Sequence, residues 1–564
     1  MNKVTELEGK SAWGRASFRN LRRGKGINEV LSGSYNFNNY IKSKPGFMLL
    51  KTPIVFLLLL LCFSACQSVD QSNPIDIDLS ELTVAEIHQA FEAGTYDSQD
   101  LVKAYQAAIE STNEKLNALT YINPEALSSA KELDEEYQKT GKLRPLHGIP
   151  IIVKDNINTK GLPTTAGALA LRDFIPEEDA FIIKKLEAAG AIIVAKSNMA
   201  EWAFSPMHSE SSTHGTTRNP YSLEHVPAGS SGGTAAAIAA NLGAIGLGTD
   251  TGNSIRGPSA HCALVGFRTS LGLISREGIV PLYLRNDVVG PMCRSVEDAT
   301  RVMEVMAGYD SKDPITKHSE GKTPNNYTQF LKEDGLEGAR IGVFRQLSDE
   351  GVDPEIKGLF EGALSDLQDL GAELVDPVII PNFSELRQNQ WCSTFRKDVE
   401  DFLRTYVQRD TMQSLEDIIR VGTKSEFASR RLERFANFEG RWDYPEEECL
   451  NAYEDPRRIA YREAIEKVMD SLNLDALVYP SWNRKPARIA SFEKDYAGDN
   501  SQVIAPHTGQ PAFTVPMGFT EGKFPAGLQF LGRMYGEGTL VSLTYAYEQG
   551  TQHRKAPPLM DAKD

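Results

Sequence analysis

The chain has 564 residues, 41% of them hydrophobic and 24% charged, and its 76 acidic against 60 basic side chains leave a formal net charge of −16. That acidity argues against nucleic acid as a partner and against charge-driven binding to an anionic membrane surface. No HExxH or CxxC pattern occurs, and the glycine clusters lack the Gly-Lys-Ser/Thr ending of a phosphate-binding loop, so no metal and no cofactor is expected.

Residues 1–47 are basic and carry no sustained apolar periodicity. They read as a mis-assigned start ahead of Met48, or as a long leader; neither contributes to a fold. From Met48 to Ala65 a lysine precedes a short apolar run, Ile54 to Phe63, and small residues follow. The run is shorter than the ~20 residues a bilayer-spanning helix needs, so 48–65 reads as a secretory signal rather than a span. Residues 66–78 read as a linker. The remainder, 79–560, has no low-complexity break and no internal repeat, which argues for one large domain.

Within that domain, Thr83 to Glu92 and Asp97 to Thr112 predict amphipathic helices, the first capped by Thr83 with Glu86 three residues on. Gly148 to Lys154, Ala191 to Lys196 and Ala244 to Thr249 predict strands, with a helix over Ala180 to Ala189 and another in the Ala-rich stretch Ala235 to Ala240. Further on come a helix from Val296 to Ala307, a strand from Ile341 to Phe344, a helix from Lys357 to Leu370 and a strand from Glu373 to Val375. The alternation predicts an α/β fold with a mainly parallel sheet covered by helices on both faces. Of the six cysteines, Cys262 reads as a small buried packing residue, and the sequence leaves open whether Cys392 and Cys449 pair.

The chemistry concentrates between Gly229 and Pro258. Two serine-bearing glycine clusters, Gly229-Ser230-Ser231-Gly232-Gly233 and Thr251-Gly252-Asn253-Ser254, bracket the Ala-rich helix and a short apolar strand. Upstream, the apolar run Ile151-Ile152-Val153 ends on Lys154. A serine hydroxyl is a weak nucleophile until a base takes its proton. Lysine can be that base only when neutral, and a desolvated position at the end of a buried strand lowers its pKa. The glycine at 252 gives the backbone freedom to turn before Ser254, so that successive N–H groups aim at a developing oxyanion.

These residues resemble the amidase signature family. The resemblance extends through Val265-Gly266-Phe267-Arg268, Val288-Val289-Gly290-Pro291, Thr508-Gly509-Gln510-Pro511 and Gly527-Leu528-Gln529-Phe530. It implies a mixed, twisted sheet of about eleven strands. It also implies a Ser–cis-Ser–Lys triad, with Ser254 as nucleophile, Ser230 as the bridging serine and Lys154 as base. The oxyanion donors would be the backbone N–H groups of Thr251, Gly252, Asn253 and Ser254, and Asp250 and Arg256 would support that loop. Met199, Glu201 and Trp202 would line the acyl pocket, and the segment from about Asn382 to Asp455, which matches the family least well, would be a mostly helical insertion near the substrate entrance. Asn253 departs from the family, which commonly has glycine before the nucleophile; its tolerance of left-handed φ would preserve the turn.

The implied activity is hydrolysis of a carboxylic amide, with a small-molecule amide as substrate. An esterase with the same site and an amide-binding lipoprotein without turnover are the alternatives. A component of a tRNA-dependent amidotransferase fits an acidic chain with an export signal less well. Separately, Phe63-Ser64-Ala65-Cys66 resembles a bacterial lipoprotein box, with Phe63 in place of leucine; this implies lipidation of Cys66 and a cell-envelope location, with the membrane reached by the lipid anchor only. Oligomeric state is not legible.

Overall fold

The structure, a computed structural model, describes residues 76–437 and 449–558. The leader 1–47, the signal 48–65, Cys66 and most of the 66–78 linker lie outside the described residues.

Eleven strands form one sheet: β1 Leu119–Ile122, β2 Pro150–Lys154, β3 Ile192–Ser197, β4 Ile245–Asp250, β5 Val265–Arg268, β6 Val288–Cys293, β7 Arg340–Val343, β8 Glu373–Val375, β9 Ala476–Pro480, β10 Ala512–Phe519 and β11 Pro525–Leu531. Their spatial order is β1-β3-β2-β4-β6-β5-β10-β11-β9-β7-β8. The large mixed sheet is the one the family resemblance implies. Parallel pairing occupies two blocks, β3-β2-β4 and β9-β7-β8. These are the regions where strand and helix alternate in the sequence, and a parallel neighbour requires a crossover of that kind. Between the blocks and at the β1 edge the pairs are antiparallel. There, strands such as β10 and β11 follow one another closely and return on themselves. The mainly parallel register expected from the sequence therefore holds within the two blocks.

The strand pleat sends alternate side chains to opposite faces. Ile151 and Val153 join one hydrophobic core, which packs against the helices Val84–Ala93, Phe181–Ala188, Val296–Met306, Pro354–Asp369 and Glu537–Thr551. Ile152 joins a second core on the opposite face, built on the buried helix Gly232–Ala239. Helices thus cover both faces, and β2 is buried along its whole length. Thr83 closes the capping box with Glu86, as its spacing predicts.

Residues 382–455 contribute short helices, including Phe395–Phe402, Leu415–Val421 and Glu426–Ala436. Their apolar faces form a third core with Phe174, Trp202, Phe204 and Leu282. Cys392 and Cys449 are joined in a disulfide with Cα atoms 5.8 Å apart, while Cys262 is free and buried.

Candidate active site

The site sits where the carboxyl ends of parallel neighbours β2 and β4 meet. Their register pairs Val153 with Leu247, so Lys154 at the end of β2 faces the last turn of β4 and the loop that follows. Parallel sheets gather reactive side chains at this edge because the loops leaving the strand ends converge there.

Lys154 has no solvent exposure. Its Nζ lies 2.7 Å from Ser230 Oγ and 2.7 Å from Thr249 Oγ1. Thr249 Oγ1 also accepts from Asn156 Nδ2 at 3.1 Å, so Asn156 fixes the threonine hydroxyl that holds the amine. Burial pulls the lysine down to about 7, against the opposing pull of the Asp250 and Asp287 carboxylates. A large fraction of the amine is therefore neutral near neutral pH.

Ser230 follows a cis peptide bond from Gly229. The backbone is pinned on both sides: Ser230 O accepts from Ala200 N–H at 3.1 Å and from Ser209 Oγ at 3.4 Å. A side chain at 229 would put its Cβ 2.2 Å from His208 O, so only glycine fits there. The neighbouring Ser231 ties the second loop in place, donating its N–H to Ser254 O at 3.3 Å and its hydroxyl to Thr249 O at 3.2 Å.

Thr251, Gly252, Asn253 and Ser254 form one wall of a cavity of about 290 Å³. Among the described residues, none of their four backbone N–H groups donates to a protein acceptor, and the Ser254 hydroxyl has no hydrogen-bond partner. A run of unpaired N–H groups beside a serine is an anion-stabilising arrangement.

The loop shape comes from beneath. Asp250 is fully buried between two buried arginines: Arg256 Nε donates to Oδ2 at 3.1 Å and Arg268 donates to Oδ1 at 2.8 Å. Burial alone would raise this carboxyl, but the two guanidiniums hold it below the usual carboxylate range. Arg256 also donates to Gly252 O at 2.7 Å and to Gln529 Oε1 at 3.1 Å. Asp250 Oδ2 accepts the Ile255 N–H at 3.2 Å, which closes the turn around Ser254.

Two expectations change here. Neither Gly252 nor Asn253 adopts left-handed φ. A Cβ at 252 would approach Trp391 to 3.1 Å and Gln502 to 3.3 Å, so any larger residue there would have to push those two side chains outward. The Asn253 side chain donates to Pro206 O at 3.3 Å, so it braces the loop.

Met199, Glu201 and Trp202 do not line the cavity; Ala203 and Phe204 do. Trp202 and Ala203 take left-handed φ of 52° and 59°, a reversal that sends the Trp202 ring against Phe395 and turns the next residues inward. Met199 is buried in the third core, and Glu201 accepts from Ser212 Oγ at 2.5 Å and Thr423 Oγ1 at 2.8 Å. Burial pushes the Glu201 carboxyl up to about 7.

The rest of the cavity wall comes from residues that sequence reading did not assign. Trp391, Arg431, Arg434 and Phe435 come from the insertion, Tyr283 from the loop before β6 and Gln502 from the short 3-10 helix Asn500–Gln502. The insertion does stand at the cavity, as expected; which of its residues face inward depends on packing between distant segments.

A buried lysine at a strand end hydrogen-bonded to one serine, and a loop of unpaired N–H groups carrying a second serine, are parts that a serine hydrolase with an amine base would use. The Amidase family model matches residues 100–541. A probable amidase of Arabidopsis thaliana is 33% identical over 526 residues, covering 89% of this chain and 97% of its own length. One component of the glutamyl-tRNA(Gln) amidotransferase of Thermoanaerobacter pseudethanolicus is 32% identical, with 85% of this chain and 99% of its own length covered. Among solved structures, the native peptide amidase of Stenotrophomonas maltophilia superposes with a TM-score of 0.75 at 35% identity, covering 85% of this chain and 98% of that one. The chain belongs to the amidase signature family.

Proposed function

We propose that the protein hydrolyses a linear carboxylic amide through a serine acyl-enzyme. Membership of the amidase family supports amide hydrolysis generally. The observation that carries the finer reading is the buried Lys154 amine, lowered to about 7 and 2.7 Å from Ser230 Oγ.

In this reading neutral Lys154 draws the Ser230 proton as Ser230 draws the proton from Ser254. Ser254 Oγ forms a bond to the amide carbonyl carbon, and the carbonyl oxygen takes the negative charge. The unpaired N–H groups of the Thr251–Ser254 loop stabilise that oxyanion; donors of this kind typically supply about 3–4 kcal/mol each to the barrier reduction. The C–N bond then breaks as the proton held on Lys154 returns through Ser230 to the leaving nitrogen. Water attacks the ester formed on Ser254, and the carboxylic acid leaves. Turnover of an aryl amide, blocked by a serine-reactive fluorophosphonate, tests this. Binding of the amide without turnover would favour the non-catalytic alternative.

We further propose that the mature chain begins at a lipidated Cys66 in a bacterial cell envelope. The signal-like segment before it supports this, and the Cys392–Cys449 disulfide suits an oxidising compartment. Intact mass spectrometry of membrane-extracted protein should find acyl chains on Cys66 and nothing before it; a chain still carrying Met48 would contradict the anchor.

A further inference from the structure

Gln502 ends the short 3-10 helix Asn500–Gln502, whose N-cap is Asp499. Its Nε2 donates to Tyr496 OH at 2.6 Å and to Asp499 Oδ2 at 2.5 Å, which uses both hydrogens of the amide. Tyr496 OH in turn donates to Asp499 Oδ2 at 3.2 Å. Burial pushes the Asp499 carboxyl up to about 7, and in its ionised form the opposite amide orientation would set Oε1 against a carboxylate, acceptor against acceptor, so above that pH the network fixes which end faces the cavity. That end is Oε1. It lies 3.4 Å from where a Cβ on Gly252 would stand, on the wall that holds Ser254, and no donor reaches it among the described residues. The site therefore presents a fixed hydrogen-bond acceptor beside the loop with free N–H groups.

We infer that Gln502 determines specificity by accepting a hydrogen bond from the N–H of the scissile amide, so that the cavity selects N–H amides over esters and N,N-disubstituted amides. This rests on the amidase reading of the site. Gln502 is half-buried, and once a bound substrate covers it an ester presents lone pairs where the amide presents N–H, which leaves Oε1 unpaired beneath the substrate; sites built to bind a donor reject analogues that lack it.

The test compares kcat/KM for the p-nitroanilide, its N-methyl anilide and the p-nitrophenyl ester of one acid, using the purified full chain and Gln502→Met. The variant keeps the side-chain length and removes the acceptor. The expected result is a loss of about 10- to 100-fold on the anilide, with a much smaller loss on the ester, so that the amide-to-ester ratio falls at least about tenfold. Should the variant fail to fold, the wild type gives the same readout: the anilide should inhibit ester hydrolysis at lower concentration than its N-methyl derivative. Equal losses on anilide and ester, or equal inhibition by the two anilides, would overturn the inference. A wild type that takes fluorophosphonate and cleaves the ester with no preference for N–H amides would overturn it while leaving the serine-hydrolase reading intact. Failure of the wild type with every substrate and with the fluorophosphonate would instead remove the amidase reading, and the inference with it.

Discussion

Lys154 Nζ and Ser230 Oγ stand 2.7 Å apart, with neither residue exposed to solvent. A lysine in that position works as a base only in its neutral form. Because burial lowers it to about 7, the neutral fraction rises as pH rises through that value. Hydrolysis of an aryl amide should therefore climb from acid to neutral pH and level off above about 8. Lys154→Ala should lower kcat by about 10²–10⁴-fold and flatten the acid limb of the profile. An unchanged pH profile in the variant would mean that another group supplies the limb.

The loop around Ser254 depends on a charge cluster that touches no substrate. Asp250 is held by Arg256 and Arg268, and all three are fully buried. Asp250→Asn leaves two buried guanidiniums without their counter-ion, and breaking a buried pair from one side typically costs about 3–5 kcal/mol. The variant should melt well below the wild type and lose activity as the loop relaxes. Thermal unfolding followed by circular dichroism, alongside a rate measurement, checks this.

The disulfide makes a prediction about the wall rather than the chemistry. Cys392 lies between Trp391 and Ser393 in the cavity lining, and its bond to Cys449 closes a loop with a sequence separation of 57. Constraining a loop of that order is typically worth roughly 4 kcal/mol in the chain-entropy model. Cys392→Ser should raise KM more than it lowers kcat, because the reacting groups on β2, β4 and their loops are untouched. Non-reducing peptide mapping of the wild type should recover the two cysteines in one cross-linked peptide.

Much of this site is legible in the sequence because its chemistry is local. The two serine loops flank one helix and one strand and so are brought together locally, whereas Lys154, 76 residues before Ser230, is joined to them by the family resemblance and not by spacing. The βαβ blocks are legible where alternation and length separate their strands from their helices, and β9, which completes the second block about a hundred residues further on, is the strand that this pattern leaves unassigned. The antiparallel middle was harder: β10 and β11 are visible as motifs, but nothing in their apolar runs says which strand pairs with which. The cavity wall was hardest. Trp391, Arg431 and Gln502 meet only after distant segments pack, and none sits in a pattern that marks it. Met199, Glu201 and Trp202 show the converse failure. They are near the site in sequence, but two consecutive left-handed residues turn the chain and bury them behind Ala203 and Phe204.

The most direct test of the account asks which serine reacts. The purified full chain is treated with a fluorophosphonate, digested, and the modified residue located by tandem mass spectrometry, with Ser254→Ala treated in parallel. Ser254 as the nucleophile predicts one labelled serine, Ser254 itself, with loss of amide hydrolysis in step with labelling. It further predicts no labelling and a kcat lower by several decades in the variant, since binding and the oxyanion donors alone leave only residual catalysis. A label on any other serine, or amide hydrolysis that persists in Ser254→Ala at the wild-type rate, would contradict it.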